Sequence, residues 1–280
     1  MLKLRDYQER LSTEISDLLP SRKILYLNGM VRVGKSLIAL ETCKKVNAKK
    51  VLFITKIKAF SSIQSDYNNF GYTYELTIIN KESLHTILTD DFDLVVCDEA
   101  HQYASYCKAS KYQKDIRKRF GNKMLLLLSG TMTPESYSQI FHQFQLSNHS
   151  PFRSYTNFYK WAVDYVNVKQ KHLGFKVAND YSDADEKKIR GMIRHYVFTV
   201  TQKDAGFYSE VNELVLEVEM KPITYQIINK LKKDLFVRGA SGVEIIADTG
   251  AKLMQKVHQL SSGTIKIDND KSLIIDNSKA

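Results

Sequence analysis

Short apolar runs of strand length recur along the first half of the chain: KILYLN (Lys23 to Asn28), KVLFIT (Lys50 to Thr55), YELTII (Tyr74 to Ile79), DLVVC (Asp93 to Cys97) and MLLLL (Met124 to Leu128). Between them, SLIALETCKKV (Ser36 to Val46) carries Leu37, Ile38, Leu40 and Val46 at helical spacing. Further helices are expected around Ser61 to Phe70, Glu82 to Leu88 and Ser110 to Phe120. Uninterrupted apolar strands have to be buried on both faces, so their alternation with helices predicts an α/β fold with a mostly parallel central sheet flanked by helices. Reactive groups in such folds gather beyond the carboxyl ends of the strands.

The loop after the first run reads GMVRVGKSL and fits G-x-x-x-x-G-K-[ST] between a strand and a helix, the context a phosphate-binding loop needs. Gly29 leaves the strand sharply, and Gly34 lets backbone N–H groups approach phosphate oxygens. Lys35 neutralises the terminal phosphates, and the Ser36 hydroxyl reaches Mg²⁺ at the helix N-terminus, where the helix dipole also favours an anion. Arg32 and Val33 stand where such loops are usually glycine-rich. The fourth run ends in CDEAH, two adjacent carboxylates at a strand tip. Asp98 there suits Mg²⁺ opposite Ser36, Glu99 suits a general base for an attacking water, and His101 suits a relay to a neighbouring element. After the fifth run, LSGTMTP offers Ser129 and Thr131 as hydroxyl partners for the His101 region; an ordinary serine/threonine turn is the alternative.

Composition changes the picture in two ways. The chain of 280 residues carries 43% hydrophobic side chains, enough for one large domain or one domain with part of a second, and 41 Lys and Arg against 31 Asp and Glu make a polyanionic partner compatible with a formal charge of +10. No apolar run reaches the roughly 18 to 20 residues that span a bilayer, and charges interrupt the N-terminal MLKLRDYQERLS, so a soluble cytoplasmic protein without a membrane partner is expected. Cys43, Cys97 and Cys107 lack metal-ligand spacing, and the histidines form no zinc pattern.

Taken in order, LRDYQ (Leu4 to Gln8), GMVRVGKS, ITK (Ile54 to Lys56), INKESL (Ile79 to Leu84), CDEAH and SGTMTP resemble the N-terminal motor lobe of a superfamily 2 DEAH-type helicase or translocase, closest to the Swi/Snf-like bacteriophage branch. The resemblance implies a RecA-like P-loop domain using ATP and Mg²⁺, in the cytoplasm of a bacterial or phage-infected cell. It puts Gln8 on the adenine edge, and Lys56, Asn80 and Lys81 on the backbone of DNA or RNA. Phage-like members tolerate RVGK, which admits Arg32 and Val33 to the nucleotide loop. YVFTVTQKDAGF (Tyr196 to Phe207) and ADTGAKLMQKVHQLSSGTI (Ala247 to Ile265) resemble the connection toward a second lobe.

The organisation expected on this basis is a RecA-like lobe over 1–150, a mainly helical or irregular insertion over 151–205, and over 206–280 a return to the first lobe and the start of a second. That second RecA-like lobe, in cis or in trans, supplies arginines to the γ-phosphate in the family, so slow hydrolysis is expected of these residues alone. Other readings stay open: a terminase-type P-loop motor, or a non-catalytic nucleotide- or DNA-binding partner subunit. FYKWAVDYV (Phe158 to Val166) reads as an aromatic core or as a base-stacking platform. Lys108, Lys111, Lys114, Arg117 and Lys118 share one helix face, solvated or part of a nucleic-acid track.

Overall fold

The computed structural model describes residues 3–103, 107–173, 176–206, 214, 216–239, 244–247, 250–267 and 272–279. Phe207, Asp248 and Thr249, within the two stretches that resemble an inter-lobe connection, lie outside them. The chain divides into two compact units, Met1–Ser209 and Glu210–Ala280.

The first unit is built on six strands: β1 (Ile24–Gly29), β2 (Lys50–Ile54), β3 (Glu75–Ile79), β4 (Leu94–Cys97), β5 (Met124–Ser129) and β8 (Val197–Val200), in the order β3-β2-β4-β5-β1-β8. Every pairing is parallel. The side-chain period of two sends alternate residues of each run to opposite faces. Leu25, Leu27, Val51, Phe53, Val96, Leu126 and Leu128 face one core. Tyr26, Leu52, Ile54, Val95, Leu125 and Leu127 face the other. This double burial is why the runs are apolar without alternation. Each such aliphatic side chain is worth about 1.5–3 kcal/mol when removed from water.

Helices α1 (Asp6–Arg22), α2 (Lys35–Lys45) and α3 (Phe60–Asn69) cover the first face through Leu11, Ile15, Leu19, Ile38, Cys43 and Ile63. The other face is covered by α4 (Lys111–Phe120), α5 (Ile140–Phe144), α6 (Phe158–Tyr165) and α7 (Glu186–Ile193). Between α6 and α7 runs an antiparallel pair, β6 (Lys169–Leu173) with β7 (Lys176–Asp180). The stretch 151–205 thus holds two helices, a hairpin and β8, which adds to the edge of the central sheet beside β1.

The aromatic stretch on α6 is core. Trp161 is fully buried and stacks on Tyr165 at 5.1 Å, with Phe141, Phe152 and Phe158 around it. The sequence had left a base-stacking platform as the other option.

The second unit contains α8 (Pro222–Asp234), β9 (Phe236–Arg238), β10 (Glu244–Ile246), α9 (Gly250–Ser261), β11 (Thr264–Lys266) and β12 (Ser272–Ile274). Ile228, Leu231, Val237, Leu260 and Ile265 form its small core. Asp276 accepts hydrogen bonds from Lys221 N (2.6 Å) and Thr224 Oγ1 (2.7 Å). Among the described residues no helix is long and apolar enough to cross a membrane.

Candidate active site

Gly29 closes β1 where no side chain fits: a Cβ would lie 2.9 Å from both Lys35 Cγ and Val200 Cγ1. The chain then turns with Arg32 (φ 68°) and Gly34 (φ 72°) in the left-handed region. At Gly34, the residue before α2, a Cβ would meet Gln8 Nε2 at 2.4 Å. Arg32 takes the same conformation at a cost of about 1–2 kcal/mol for an L side chain. Its side chain is exposed, while Val33 beside it is fully buried and anchors the loop in the core. The start of α1 braces this loop. Tyr7 Oη donates to the Val33 carbonyl (3.0 Å), and Gln8 accepts from Arg5 N (3.0 Å) with its amide against Gly34.

Lys35 Nζ is folded onto the carbonyls of Gly29 (2.8 Å) and Met30 (3.1 Å). Burial lowers its pKa, against the charges of Asp98 and Glu99, which raise it. Ser36 sits half-buried in the first turn of α2, where backbone N–H groups without helical partners favour an anion.

The sheet order puts β5 between β1 and β4, so the loop and the two carboxylates lie beyond strand ends on either side of β5. Asp98 Oδ2 accepts from Thr55 Oγ1 (2.7 Å) and Oδ1 from the Glu99 amide (2.9 Å). Burial, helped by Glu99, holds its carboxyl above the usual range, with both hydrogen bonds and Lys35 opposing. Glu99 has a left-handed backbone, φ 52°. Its carboxylate accepts from Lys56 Nζ (2.9 Å) and lies 3.4 Å from His101 Nδ1. Burial raises the Glu99 pKa, but Lys56, His101 and Lys35 together hold it below the usual value.

His101 Nδ1 is 2.9 Å from Ser129 Oγ, and that hydroxyl donates to the Thr131 carbonyl (2.9 Å) while accepting from the Thr131 amide (3.1 Å). The single hydroxyl proton is then committed to Thr131, which makes His101 Nδ1 the donor toward Ser129. His101, Ser129 and Thr131 are thus linked by hydrogen bonds between the ends of β4 and β5, with the Glu99 carboxylate 3.4 Å from His101 Nδ1. Gly130 lies beside Lys35: a Cβ there would be 3.9 Å from Nζ.

Lys56, Asn80 and Lys81 line one cavity of about 520 Å³ together with Thr55, Asp98 and Gln102. Asn80 donates to Glu82 (3.1 Å); Lys81 donates to Gln102 and lies over the Tyr112 ring at 5.6 Å. The expected nucleotide, acid and backbone-contact residues are therefore contiguous, except that Arg32 points to solvent at the loop tip. Sequence reasoning passed over Tyr7, Thr55 and Gln102. Thr55 had a usable signal: it follows β2 where Asp98 follows β4, and Ile54 pairs with Cys97.

A family model for the SNF2-related domain matches residues 32–260. Two solved structures from Sulfolobus solfataricus are similar in fold. The SWI2/SNF2 ATPase core domain has 14% identity and a TM-score of 0.56, over 93% of this chain and 57% of that one. The same ATPase core in complex with dsDNA has 13% identity and a TM-score of 0.56, over 86% of this chain and 55% of that one. The chain thus spans just over half the length of these structures. No match was found among curated proteins.

Proposed function

The chain belongs to the SNF2-related domain family, and from that premise we propose that it is the ATP-binding motor lobe of a DNA-dependent translocase or helicase. The observation that carries this reading is that Lys35 lies beyond the end of β1 and Asp98 and Glu99 beyond the end of β4, on either side of β5 and close enough to share charge, with Lys56 joining Glu99 to the cavity holding Asn80 and Lys81. Gln8, whose amide lies against Gly34, reads the adenine edge, and α2 presents its N-terminal amides to the phosphates. Lys35 exchanges the Gly29 and Met30 carbonyls for phosphate oxygens.

Ser36 and Asp98, one hydroxyl and one carboxylate, suit Mg²⁺ that takes its remaining ligands from phosphate and water. Bound there, the ion would offset charge on the phosphates. Glu99 accepts the proton of the attacking water once its carboxylate is released from Lys56, and His101 carries the state of Glu99 to Ser129 and Thr131. Lys56, Asn80 and Lys81 meet the DNA backbone. Residues 206–280 are read as the connection toward a second RecA-like lobe, in cis or in trans, that completes the γ-phosphate site. Without such arginines, which are worth about 10³ to 10⁵ in rate where measured, these 280 residues bind ATP but turn it over slowly.

Calorimetry with Mg-ATP and phosphate release with and without DNA test the proposal. Binding should be lost in folded Lys35→Ala, and turnover should stay near background until a second lobe is supplied. Undiminished affinity in Lys35→Ala removes the loop from the site. Brisk DNA-stimulated turnover by the chain alone, abolished in Glu99→Gln, overturns the need for a second lobe.

A further inference from the structure

The turn that follows β8, residues 201–206, lies against the phosphate loop and has no part in the chemistry proposed above. β1 and β8 stay paired to their ends, Gly29 beside Val200, and Met30 N donates to the Val200 carbonyl (3.0 Å) one residue into the loop. Beyond that point Gln202 Nε2 donates to the Val31 carbonyl (3.3 Å). The turn is held in shape locally. Asp204 Oδ2 accepts from Thr201 N and Thr201 Oγ1, both at 2.8 Å, and the buried Ala205 donates its amide to Thr201 O (3.2 Å). Arg5 Nη1, just before α1, donates to the Ala205 carbonyl (3.3 Å).

Four carbonyls of the loop are engaged. Those of Gly29 and Met30 sit on Lys35 Nζ and are given up when Lys35 turns to phosphate. Those of Val31 and Val33 are held from outside the loop, by Gln202 and Tyr7, and do not depend on Lys35. A trans peptide points its C=O and the following N–H in opposite directions, so these two bonds turn the Arg32 and Gly34 amides away from Gln202 and Tyr7. Neither amide donates a hydrogen bond among the described residues, which leaves both for phosphate oxygens. Each amide leads into a left-handed residue, φ 68° at Arg32 and 72° at Gly34. Glycine takes that conformation freely, whereas arginine holds it only where its surroundings enforce it. The Gln202 bond fixes the peptide plane entering Arg32, and the fully buried Val33 side chain fixes the residue leaving it.

We propose that Gln202 is a positioning residue for the phosphate loop: by holding the Val31 carbonyl it keeps Arg32 left-handed and the Arg32 amide directed at the nucleotide phosphates. The inference rests on the reading of this loop as an ATP site and adds to it a side chain 171 residues along the chain from Val31. It accounts for an arginine where such loops usually carry glycine, because the restraint that glycine would not need is supplied by the turn after β8. Without Gln202 the loop is free to relax at Arg32, and each binding event then has to restore the left-handed backbone.

Calorimetric titration of Mg-ATP into the full chain tests this in a cycle of wild type, Gln202→Met, Arg32→Gly and the double variant, with Lys35→Ala as control. Gln202→Met keeps the side-chain length and removes the donor without adding charge. It should weaken Mg-ATP about 5- to 30-fold, the cost of imposing a left-handed conformation on an L side chain. Gln202→Ala should give the same loss. In the Arg32→Gly background the loss should shrink to about twofold or less, the scatter of such cycles. A residue that only stabilised the fold would lower the melting temperature and act equally in both backgrounds. Unchanged affinity in Gln202→Met, an equal loss with and without Arg32→Gly, or abolition of binding by Arg32→Gly itself overturns the inference. Each of these leaves the ATP site standing so long as Lys35→Ala abolishes binding. No Mg-ATP binding by the wild-type chain removes both.

Discussion

The ion pair between Lys56 and Glu99 ties the proposed general base to a proposed DNA contact, and it can be tested with no nucleotide present. Lys56 Nζ lies 2.9 Å from Glu99 Oε1, with the two side chains 55% and 31% exposed. A pair this open to water is worth about 0.2–1 kcal/mol. Free energy spent holding Lys56 on Glu99 is withheld from a DNA phosphate. Neutralising the acid in Glu99→Gln should therefore raise duplex-DNA affinity by about 1.4- to 5-fold near 0.1 M salt. Removing a negative charge also reduces general repulsion, so the comparison has to be a cycle: wild type, Glu99→Gln, Lys56→Ala and the double variant, each titrated into labelled duplex DNA by fluorescence anisotropy. The gain should vanish in the Lys56→Ala background. A gain of equal size with and without Lys56 would refute the coupling and leave only a bulk charge effect. Loss of affinity in Glu99→Gln would contradict it more directly. By reciprocity, DNA that engages Lys56 frees Glu99 to accept a proton, a local route to DNA-stimulated hydrolysis.

Three further outcomes are expected. Asp98 is raised by burial in the folded state, so its favourable contribution belongs to low pH and is lost as pH rises through the folded pKa; at neutral pH its charge is a net cost. Asp98→Asn should accordingly melt above wild type at pH 7 to 8 while losing Mg-ATP, with the thermal gain closing as pH falls toward about 4, the ordinary aspartate value; a calorimetric gain undiminished at acid pH contradicts the assignment. Gly34→Ala combines a left-handed backbone with a Cβ 2.4 Å from Gln8 Nε2. It should cost about 1–2 kcal/mol or more, a fall in Tm of roughly 2–8 °C, and weaken ATP binding; an unchanged thermal shift would mean that the loop relaxes freely. Lys81→Ala should flatten the slope of log affinity against log salt for duplex DNA by about 0.9, one phosphate contact, and an unaltered slope takes Lys81 off the DNA track.

The elements legible in the sequence were those with a dense local signal. The five runs became β1 to β5 within a residue or two at each end, because central strands buried on both faces are apolar through their middles. Helix α2 lies where apolar spacing puts it, and α3 and α4 lie at the helical stretches expected around 61–70 and 110–120. The turn after β1 was readable because a left-handed residue before a helix favours glycine at position 34, and the acidic strand end because adjacent acids after LVVC have no use inside a core.

Other features depend on partners distant in sequence. β8, only Val197–Val200, is too short to declare itself and is a strand because β1 offers a free edge. Helix α1 went unread, since Leu11, Ile15 and Leu19 acquire meaning only against α2 and the sheet. Whether Trp161 stacks on bases or fills a core was settled by Phe141, Phe152 and Tyr165 closing around it. The sequence by itself determined the parallel sheet, the glycine turn after β1 and the acidic strand end, since each follows from residue types within a few positions of one another. Only the tertiary structure decided that Lys56 holds Glu99 and that Thr55 holds Asp98. Those relations join residues brought together by strand order and helix packing, and no local pattern encodes such distances.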